Sequence, residues 1–297
     1  MHLSLAYWLL IGRLSAILIE AFLGARGVIR AHYAWKDTLA SLSMRVGNVA
    51  VNIAMAGIMF AGLQWAYDHR IVSFEMTVLA WFVLFVLDDF TYYWFHRISH
   101  ESRFWWAAHV NHHSSRYYNL STAARQSWTG ILVGTWMPWI PLGLIGFTPT
   151  AILAMQSINL FYQFWLHTEA VGRLPAWFEA IFNTPSHHRV HHASNPRYLD
   201  RNYSGVLMIW DRWFGTYEAE RDDEPPVYGI LHNIDSYNPI RIAFHEWSAM
   251  LRDLLQARSI REAFGATFGA PGWRIDGTGL TSESVRNSWR RSAGETV

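Results

Sequence analysis

The sequence predicts an all-α fold: a polytopic membrane helix bundle of about four or five transmembrane segments with a cytoplasmic, histidine-rich helical cap. Three observations predict it. Hydrophobic residues make up 51% of the 297 positions and charged ones only 16%. No charged side chain occurs from Val46 to Tyr67 or from Gln126 to Thr168. Patterned histidines, between His96 and His192, begin where one apolar run ends and resume where another ends. The mean hydropathy of +0.04 averages an apolar half and a polar half and so hides the pattern.

A bilayer core about 30 Å thick needs about 20 apolar residues in a helix. The segment 3–23 is the weakest candidate, because Arg13 and Glu20 interrupt it. A charge at the bilayer centre is costly, so this segment snorkels, pairs within the bundle or lies at the surface. It does not read as a signal peptide, since Arg13 sits mid-segment and no basic stretch precedes it. Segment 46–67 meets the required length, and 73–95 fits although Glu75, Asp88 and Asp89 fall within it. The uncharged run Gln126–Thr168 is too long for one crossing, at about 65 Å if helical. With Pro141, Gly143, Gly146 and Pro149 as turn residues it reads as a helical hairpin, 127–146 and 149–168.

Basic residues in the connections give an orientation. The 24–45 connection carries Arg26, Arg30, Lys36 and Arg45, and the 96–125 connection carries Arg97, Arg103, Arg116 and Arg125. The 68–74 turn has only Arg70, and 141–150 has none. The first two therefore belong on the cytoplasmic side, together with a cap formed by 96–126 and 169–265. At roughly 150 residues per domain the length suggests two domains, but residues 1–265 read as a single integral-membrane unit, followed by a polar tail, 266–297, loose from about 276 onward. Ala243, Trp247, Met250, Leu251 and Leu254 recur at helical spacing, giving an amphipathic helix that packs on the bundle or lies on lipid.

Composition excludes several functions. The absence of cysteine removes disulfides, thiolate metal sites, iron–sulfur clusters and cysteine nucleophiles. A net charge of +1 gives no reason to expect nucleic acid. The hydrophobic content is too high for a disordered chain.

The histidines carry the chemistry. His96 and His100 are four apart in HRISH, His109, His112 and His113 form HVNHH, and His188, His191 and His192 form HRVHH with His187 just before. His167 ends QFWLH. On a helix, residues three and four apart share one face, so each group can aim its imidazoles at one point. With histidine at about 5%, an HxxHH pattern is expected by chance ~0.04 times in a chain this long, and it occurs twice. His2, His32, His69, His232 and His245 fall outside these patterns and read as ordinary packed residues.

Nine or ten imidazoles exceed what one ion uses; a structural zinc takes four ligands, a catalytic zinc three and a water. Two roughly octahedral ions could use nine and still leave open positions. Imidazole suits iron, zinc, copper and nickel. A metal pair at a membrane surface, beside an aromatic-rich bundle, suits redox iron acting on a lipid C–H bond. Neither HExxH nor GxSxG is present to suggest hydrolysis.

The HxxxH, HxxHH, HxxHH series resembles the membrane fatty acid hydroxylase/sterol desaturase superfamily, and within it the alkylglycerol monooxygenases and their bacterial relatives. The resemblance covers about residues 88–220 and rests on DDFTYYWFHRISHE, HHSSRYYNLSTAARQS, NLFYQFWLHTE, NTPSHHRVHH and LDRNYSGVLMIWDRWFGTYEAE. It implies a helical membrane enzyme with a histidine-ligated di-iron centre that activates dioxygen. The implied substrate is a glyceryl ether lipid, hydroxylated at the carbon next to the ether oxygen, with tetrahydropterin or an electron-donor protein as the external reductant. By motif position the implied ligands are His96, His100, His109, His112, His113, His167, His188, His191 and His192, with His187 either a ligand or a supporting residue. Zinc can replace iron in a purified sample.

Ligand imidazoles usually donate their other N–H to a carboxylate or carbonyl. Asp89, two turns before His96, and Glu101 and Asp200, adjoining histidine motifs, are the acidic candidates. Arg125, Gln126, Asn202 and Tyr203 match family positions without an assigned role. Trp136, Trp139, Phe161, Phe164 and Trp165 could line an acyl-chain site, or simply face core or lipid. The competing readings are a hydroxylase or desaturase of a sterol, carotenoid, acyl chain or aminolipid, a structural zinc protein, and a membrane metal transporter. A transporter would set its ligands along a path near the bilayer midplane, whereas these gather at span ends.

Overall fold

The computed structural model describes residues 5–294; His2, the start of the expected 3–23 span and the last three residues of the tail lie outside them. Among the described residues there is no strand, only the isolated bridges Phe182–Leu207 and Ala193–Tyr228. Three helices are long and apolar enough to cross a membrane: Tyr7–Ala25, Trp35–Asp68 and Val78–Glu101. They correspond to α1 (Leu5–Ala25), α2 (Trp35–Asp68) and α3 (Val78–Glu101). Thr77 starts α3 by accepting the Ala80 N–H at 3.2 Å, which satisfies one of the free donors of the first turn.

Of the charges that interrupt the apolar runs, Glu20, Asp88 and Asp89 are buried in the bundle, whereas Arg13 is half-buried and Glu75 exposed. Glu20 of α1 accepts hydrogen bonds from Tyr33 Oη, from Leu120 N at 2.8 Å and from Thr168 Oγ1. Asp88 accepts from Trp139 Nε1 at 2.7 Å and Asn159 Nδ2 at 3.1 Å. Outward faces remain apolar: Leu18, Ile53, Val78, Leu79 and Phe82 are all exposed. A bilayer accepts such a surface, provided that backbone groups are satisfied inside the helices.

Residues 127–146 differ from expectation. Instead of a spanning helix they form short 3₁₀ turns and the six-residue α5 (Ile140–Ile145). Pro138 and Pro141 remove donors here, and Gly134 (φ +76°) and Gly146 (φ +129°) take left-handed conformations that end each turn. This segment lies back on α2, where Trp128 and Trp136 cross the helix at Gly47 and Gly62. A Cβ at those glycines would come within 2.3 Å and 2.5 Å of the indoles. The absence of charge there reflects packing on α2 rather than a crossing. The following α6 (Pro149–Phe164) is capped by Thr148 and has 16 residues, about 24 Å at 1.5 Å per residue, short of a typical bilayer core.

Leu63, Leu84, Trp139, Leu142, Phe147, Ile152 and Met155 form the apolar core joining α2, α3, α5 and α6. At one end of this bundle Ile71 N donates to Leu144 O at 2.7 Å. At the other end lie α4 (Arg103–His113), α7 (Ala176–Glu179), α8 (Pro185–His191), α9 (Ile209–Trp213), α10 (Pro239–Gln256) and α11 (Ile260–Phe268). On α10, Ala243 and Met250 are buried while Leu251 and Leu254 are exposed, so the apolar stripe is only half covered. The C-terminal segment also differs from the expected loose tail. Thr281 caps α12 (Ser282–Ala293), which closes on Gly294 at φ +71°. Arg197 stacks on Trp289 of this helix, 4.6 Å from the ring centre, and Arg286 donates to Leu199 O.

Candidate metal centre

The four chain segments bearing patterned histidines meet at one end of the bundle. α3 breaks at Ser102, whose extended backbone (φ −120°, ψ 126°) turns α4 back across the end of α3. His96 and His100 thereby face His109 and His113, each pair one turn apart on its own helix. α8 packs against both, and His167 enters just after α6.

The nine imidazoles fall into two adjoining groups. One gathers His96, His100, His109, His113 and His191; the other gathers His112, His167, His188 and His192. Within each group the candidate ligand atoms lie within 4.8 Å of one another. Each HxxHH motif serves both groups. On α4, His109 and His113 point one way and His112 the other; on α8, His188 and His192 pair while His191 crosses over. Residues i and i+4 share a face, and i+3 lies on its flank. The groups touch where His113 and His192 stack at 4.3 Å between ring centres.

The hydrogen bonds fix the tautomers of several rings. His96 Nδ1 lies 2.7 Å from Tyr203 O, His112 Nδ1 3.3 Å from Arg125 O, His167 Nδ1 2.9 Å from Gln163 O and His191 Nδ1 2.9 Å from Arg201 O. A carbonyl only accepts, so each Nδ1 carries the proton and each Nε2 presents a lone pair. Yet His112 Nε2 lies 3.1 Å from His167 Nε2, which lies 3.1 Å from His188 Nε2. In the other group His109 Nε2 lies 3.1 Å from His96 Nε2 and 3.2 Å from His113 Nε2. Between His112 and His167, whose tautomers are both fixed, two facing lone pairs repel. Two nitrogens each about 2.1 Å from one cation, at right angles, are about 3.0 Å apart, so this spacing fits a shared ion. Buried Nε2 atoms of His100, His191 and His192 have no hydrogen-bond partner among the described residues. The residues present therefore fit a pair of metal ions.

Burial also keeps these rings neutral, as ligation requires. It pushes His112 down to about 4. Burial and then neighbouring imidazoles hold His109, His113, His188, His191 and His192 well below the usual histidine range.

The acidic candidates separate. Asp200 lies beside the site, Oδ1 3.6 Å from His100 Nδ1, in a left-handed conformation (φ +54°). Glu101 does not reach it; it pairs with Arg97 at 2.8 Å on the surface. Asp89 touches no imidazole. Its carboxylate accepts from Val206 N (2.7 Å), Leu207 N (2.9 Å) and Trp210 Nε1 (2.9 Å), anchoring the loop whose Tyr203 carbonyl orients His96. Gly205 passes so close that a Cβ there would lie 2.9 Å from Asp89 Oδ1. His187 belongs to neither group; its Nδ1 lies 3.4 Å from Thr184 Oγ1 and its ring meets Tyr217 edge-on.

Residues without an assigned role acquire one. Asn202 (φ +57°) donates to His187 O and Glu218 O, and Gln126 donates to Ala123 O at 3.0 Å. The buried Arg125 guanidinium pairs with Asp37 of α2 while its carbonyl holds His112. Trp139 is a core residue bonded to Asp88, and Phe161 is half exposed. Other supports had no signal in the histidine pattern. Asp211 accepts from Tyr203 N and Ser204 N, both at 2.8 Å. Arg189, inside HRVHH, grips Glu220 with two bonds of 2.8 and 2.6 Å and donates to Thr168 O at 3.0 Å, tying α8 to the His167 turn.

Residues 81–216 match the family model described as fatty acid hydroxylase. The chain is 46% identical over 194 residues to human alkylglycerol monooxygenase, covering 65% of this chain and 42% of that protein. It is 37% identical over 260 residues to the zebrafish (Danio rerio) alkylglycerol monooxygenase, covering 86% of this chain and 57% of that one. A bacterial relative, the ornithine lipid hydroxylase OlsE of Rhizobium tropici, is 30% identical over 132 residues, 44% of this chain and 40% of that protein. The chain thus spans about half the length of the curated relatives it matches. No solved structure matches.

Proposed function

Through residues 81–216 the chain belongs to the fatty acid hydroxylase family, and on that premise we propose that it is a membrane-bound di-iron monooxygenase that hydroxylates a lipid C–H bond. The substrate we assign is an alkylglycerol, attacked at the carbon next to the ether oxygen. One observation carries the reading: two adjoining sets of largely buried imidazoles, in one of which His112 and His167 face each other with Nε2 lone pairs 3.1 Å apart.

A bound iron pair would supply activation of dioxygen and oxidation of the C–H bond. The chain supplies the rest. Carbonyls of Tyr203, Arg125, Gln163 and Arg201 hold four of the rings with Nε2 turned inward. Asp89 and Asp211 fix the 203–210 loop, and Asp200 stands beside His100. Burial of eight of the nine proposed ligands, with His109 partly exposed, restricts bulk water, which limits side reactions. In the product, a hydroxyl next to an ether oxygen makes a hemiacetal, which collapses to an aldehyde and glycerol.

The ligands lie at one end of the bundle rather than along a path through it, which favours an enzyme over a transporter. We infer that this end faces the cytoplasm, of a bacterial inner membrane or an endoplasmic reticulum, from the arginines in 24–45 and 96–125. Tetrahydropterin or an electron-donor protein would be the reductant.

Purified protein loaded with iron and given a reductant tests the reading. Alkylglycerol should yield a fatty aldehyde and glycerol only when oxygen is present. Turnover under strict anaerobiosis would overturn the chemistry. Hydroxylation of an ornithine lipid in place of alkylglycerol would overturn the substrate assignment and keep the chemistry.

A further inference from the structure

The helices α10 and α11 turn an apolar surface outward at the histidine end of the bundle. On α10, Ile240, Phe244, Leu251 and Leu255 are exposed, and their spacing of four, seven and four puts them in one stripe. On α11, Ile260 and Phe264, one turn apart, are exposed as well. Contiguous apolar surface of this kind marks an interaction site.

The acidic contacts of α10 point the other way. The buried Arg103 guanidinium of α4 bonds Glu246 Oε1 at 2.7 Å and Asp253 Oδ2 at 2.6 Å on α10, and Ala266 O of α11 at 3.2 Å. Trp247 Nε1 donates to Thr129 Oγ1 at 3.0 Å. Outward, each of Arg241, Arg252 and Arg261 directly follows a residue of the apolar surface, Ile240, Leu251 and Ile260. All three arginines are exposed, with no carboxylate at ion-pair distance among the described residues. Hydrophobes edged by arginines suit the boundary between lipid headgroups and acyl chains.

The level of α10 is fixed by α2. Ile242 and Ala243 pack with Ala40 and Met44. Phe244 meets Trp128 edge-on at 6.3 Å between ring centres, and Trp128 crosses α2 at Gly47 while its Nε1 donates to Met44 O at 2.9 Å. The charge-free run of α2 begins at Val46, which is exposed. α10 therefore meets α2 where that helix enters the apolar layer, and its stripe adjoins the lipid-facing surface of α2 through Phe244 and Trp128.

We propose that α10 and α11 lie in the interface of the bilayer that α2 crosses, with their apolar stripe among the upper acyl chains and Arg241, Arg252 and Arg261 against lipid phosphates. The surface does not depend on the chemistry assigned to the histidines.

The chain has no cysteine, so a nitroxide can be attached at one chosen site. Leu251→Cys, Leu255→Cys and Phe264→Cys place it at exposed positions of the stripe, and Asp223→Cys gives a control exposed elsewhere. Each labelled full chain is reconstituted in nanodiscs of phosphatidylcholine and phosphatidylglycerol. Power-saturation electron paramagnetic resonance then reads collisions with oxygen, which concentrates in lipid, and with a nickel chelate, which stays in water. The three stripe labels should collide with oxygen and hardly with nickel, at a depth of about 5–10 Å below the phosphates. The Asp223 label should collide with nickel. Three separate sites keep the result independent of the folding of any one variant. Strong nickel collision at the stripe would leave it in water and overturn the proposal. Weak collision with both reagents, with one chain or two in each nanodisc, would mean that protein covers the stripe and would overturn it equally.

Discussion

His112 and His167, 55 positions apart, meet with Nε2 atoms 3.1 Å from each other while each Nδ1 is held by a backbone carbonyl. Neither nitrogen has a proton to give, so the contact is repulsive until a cation lies between them. Removing metal should therefore destabilise the fold as well as silence it. Treatment with a strong chelator should lower the melting temperature, and added Fe(II) or Zn(II) should restore it. A melting temperature indifferent to chelation would count against shared ligation.

Asp89 bonds Val206, Leu207 and Trp210, and so acts on His96 only through the loop that carries Tyr203. Asp89→Ala leaves three buried N–H groups without an acceptor, at about 1–3 kcal/mol each. The variant should lose more than about 3 kcal/mol of stability and bind less metal. Asp89→Asn keeps one acceptor oxygen and should recover part of both. Denaturation and metal content, measured together, check this.

Asp37 and Arg125 form a buried ion pair between α2 and the turn that holds His112. Breaking such a pair from one side leaves an unpaired buried charge and costs about 3–5 kcal/mol. Asp37→Ala should be more damaging than the double variant Asp37→Leu with Arg125→Met. A double-mutant cycle on thermal or denaturant stability reads the difference.

Acid should destabilise the metal-free fold from a definite pH. His112 is lowered by burial from 6.5 to about 4. Between those values the unfolded chain takes up a proton that the folded one refuses, so stability falls as pH falls through that window. The slope is about 1.4 kcal/mol per pH unit for each such ring. Unfolding followed from pH 7 to pH 4 should show it, and His112→Phe should make the slope shallower.

The sequence made the ligand types legible because imidazoles at spacings of three and four on short helices are rare by chance. It did not reveal that HVNHH and HRVHH each divide between two groups. That division depends on the break at Ser102, which aims α4 across α3. The seven-residue spacing from Asp89 to His96 suggested a carboxylate on an imidazole, but the side chain meets the 206–210 loop, which is remote in sequence. In 127–146 the lack of charge suggested a crossing. Nothing local distinguishes a segment facing lipid from one packed on the glycines of α2, although the prolines and glycines there were visible as turn signals. The Ser- and Arg-rich end suggested a loose tail, because the contacts that dock α12, Arg197 on Trp289 and Arg286 on Leu199, are tertiary.

Counting metal ions per chain distinguishes two occupied histidine sets from one. The parent protein should carry about two ions. His109→Ala with His113→Ala should leave about one, and so should His167→Ala with His188→Ala, each emptying its own set. A parent with a single ion, or metal content unmoved by either pair of substitutions in folded protein, would contradict the account.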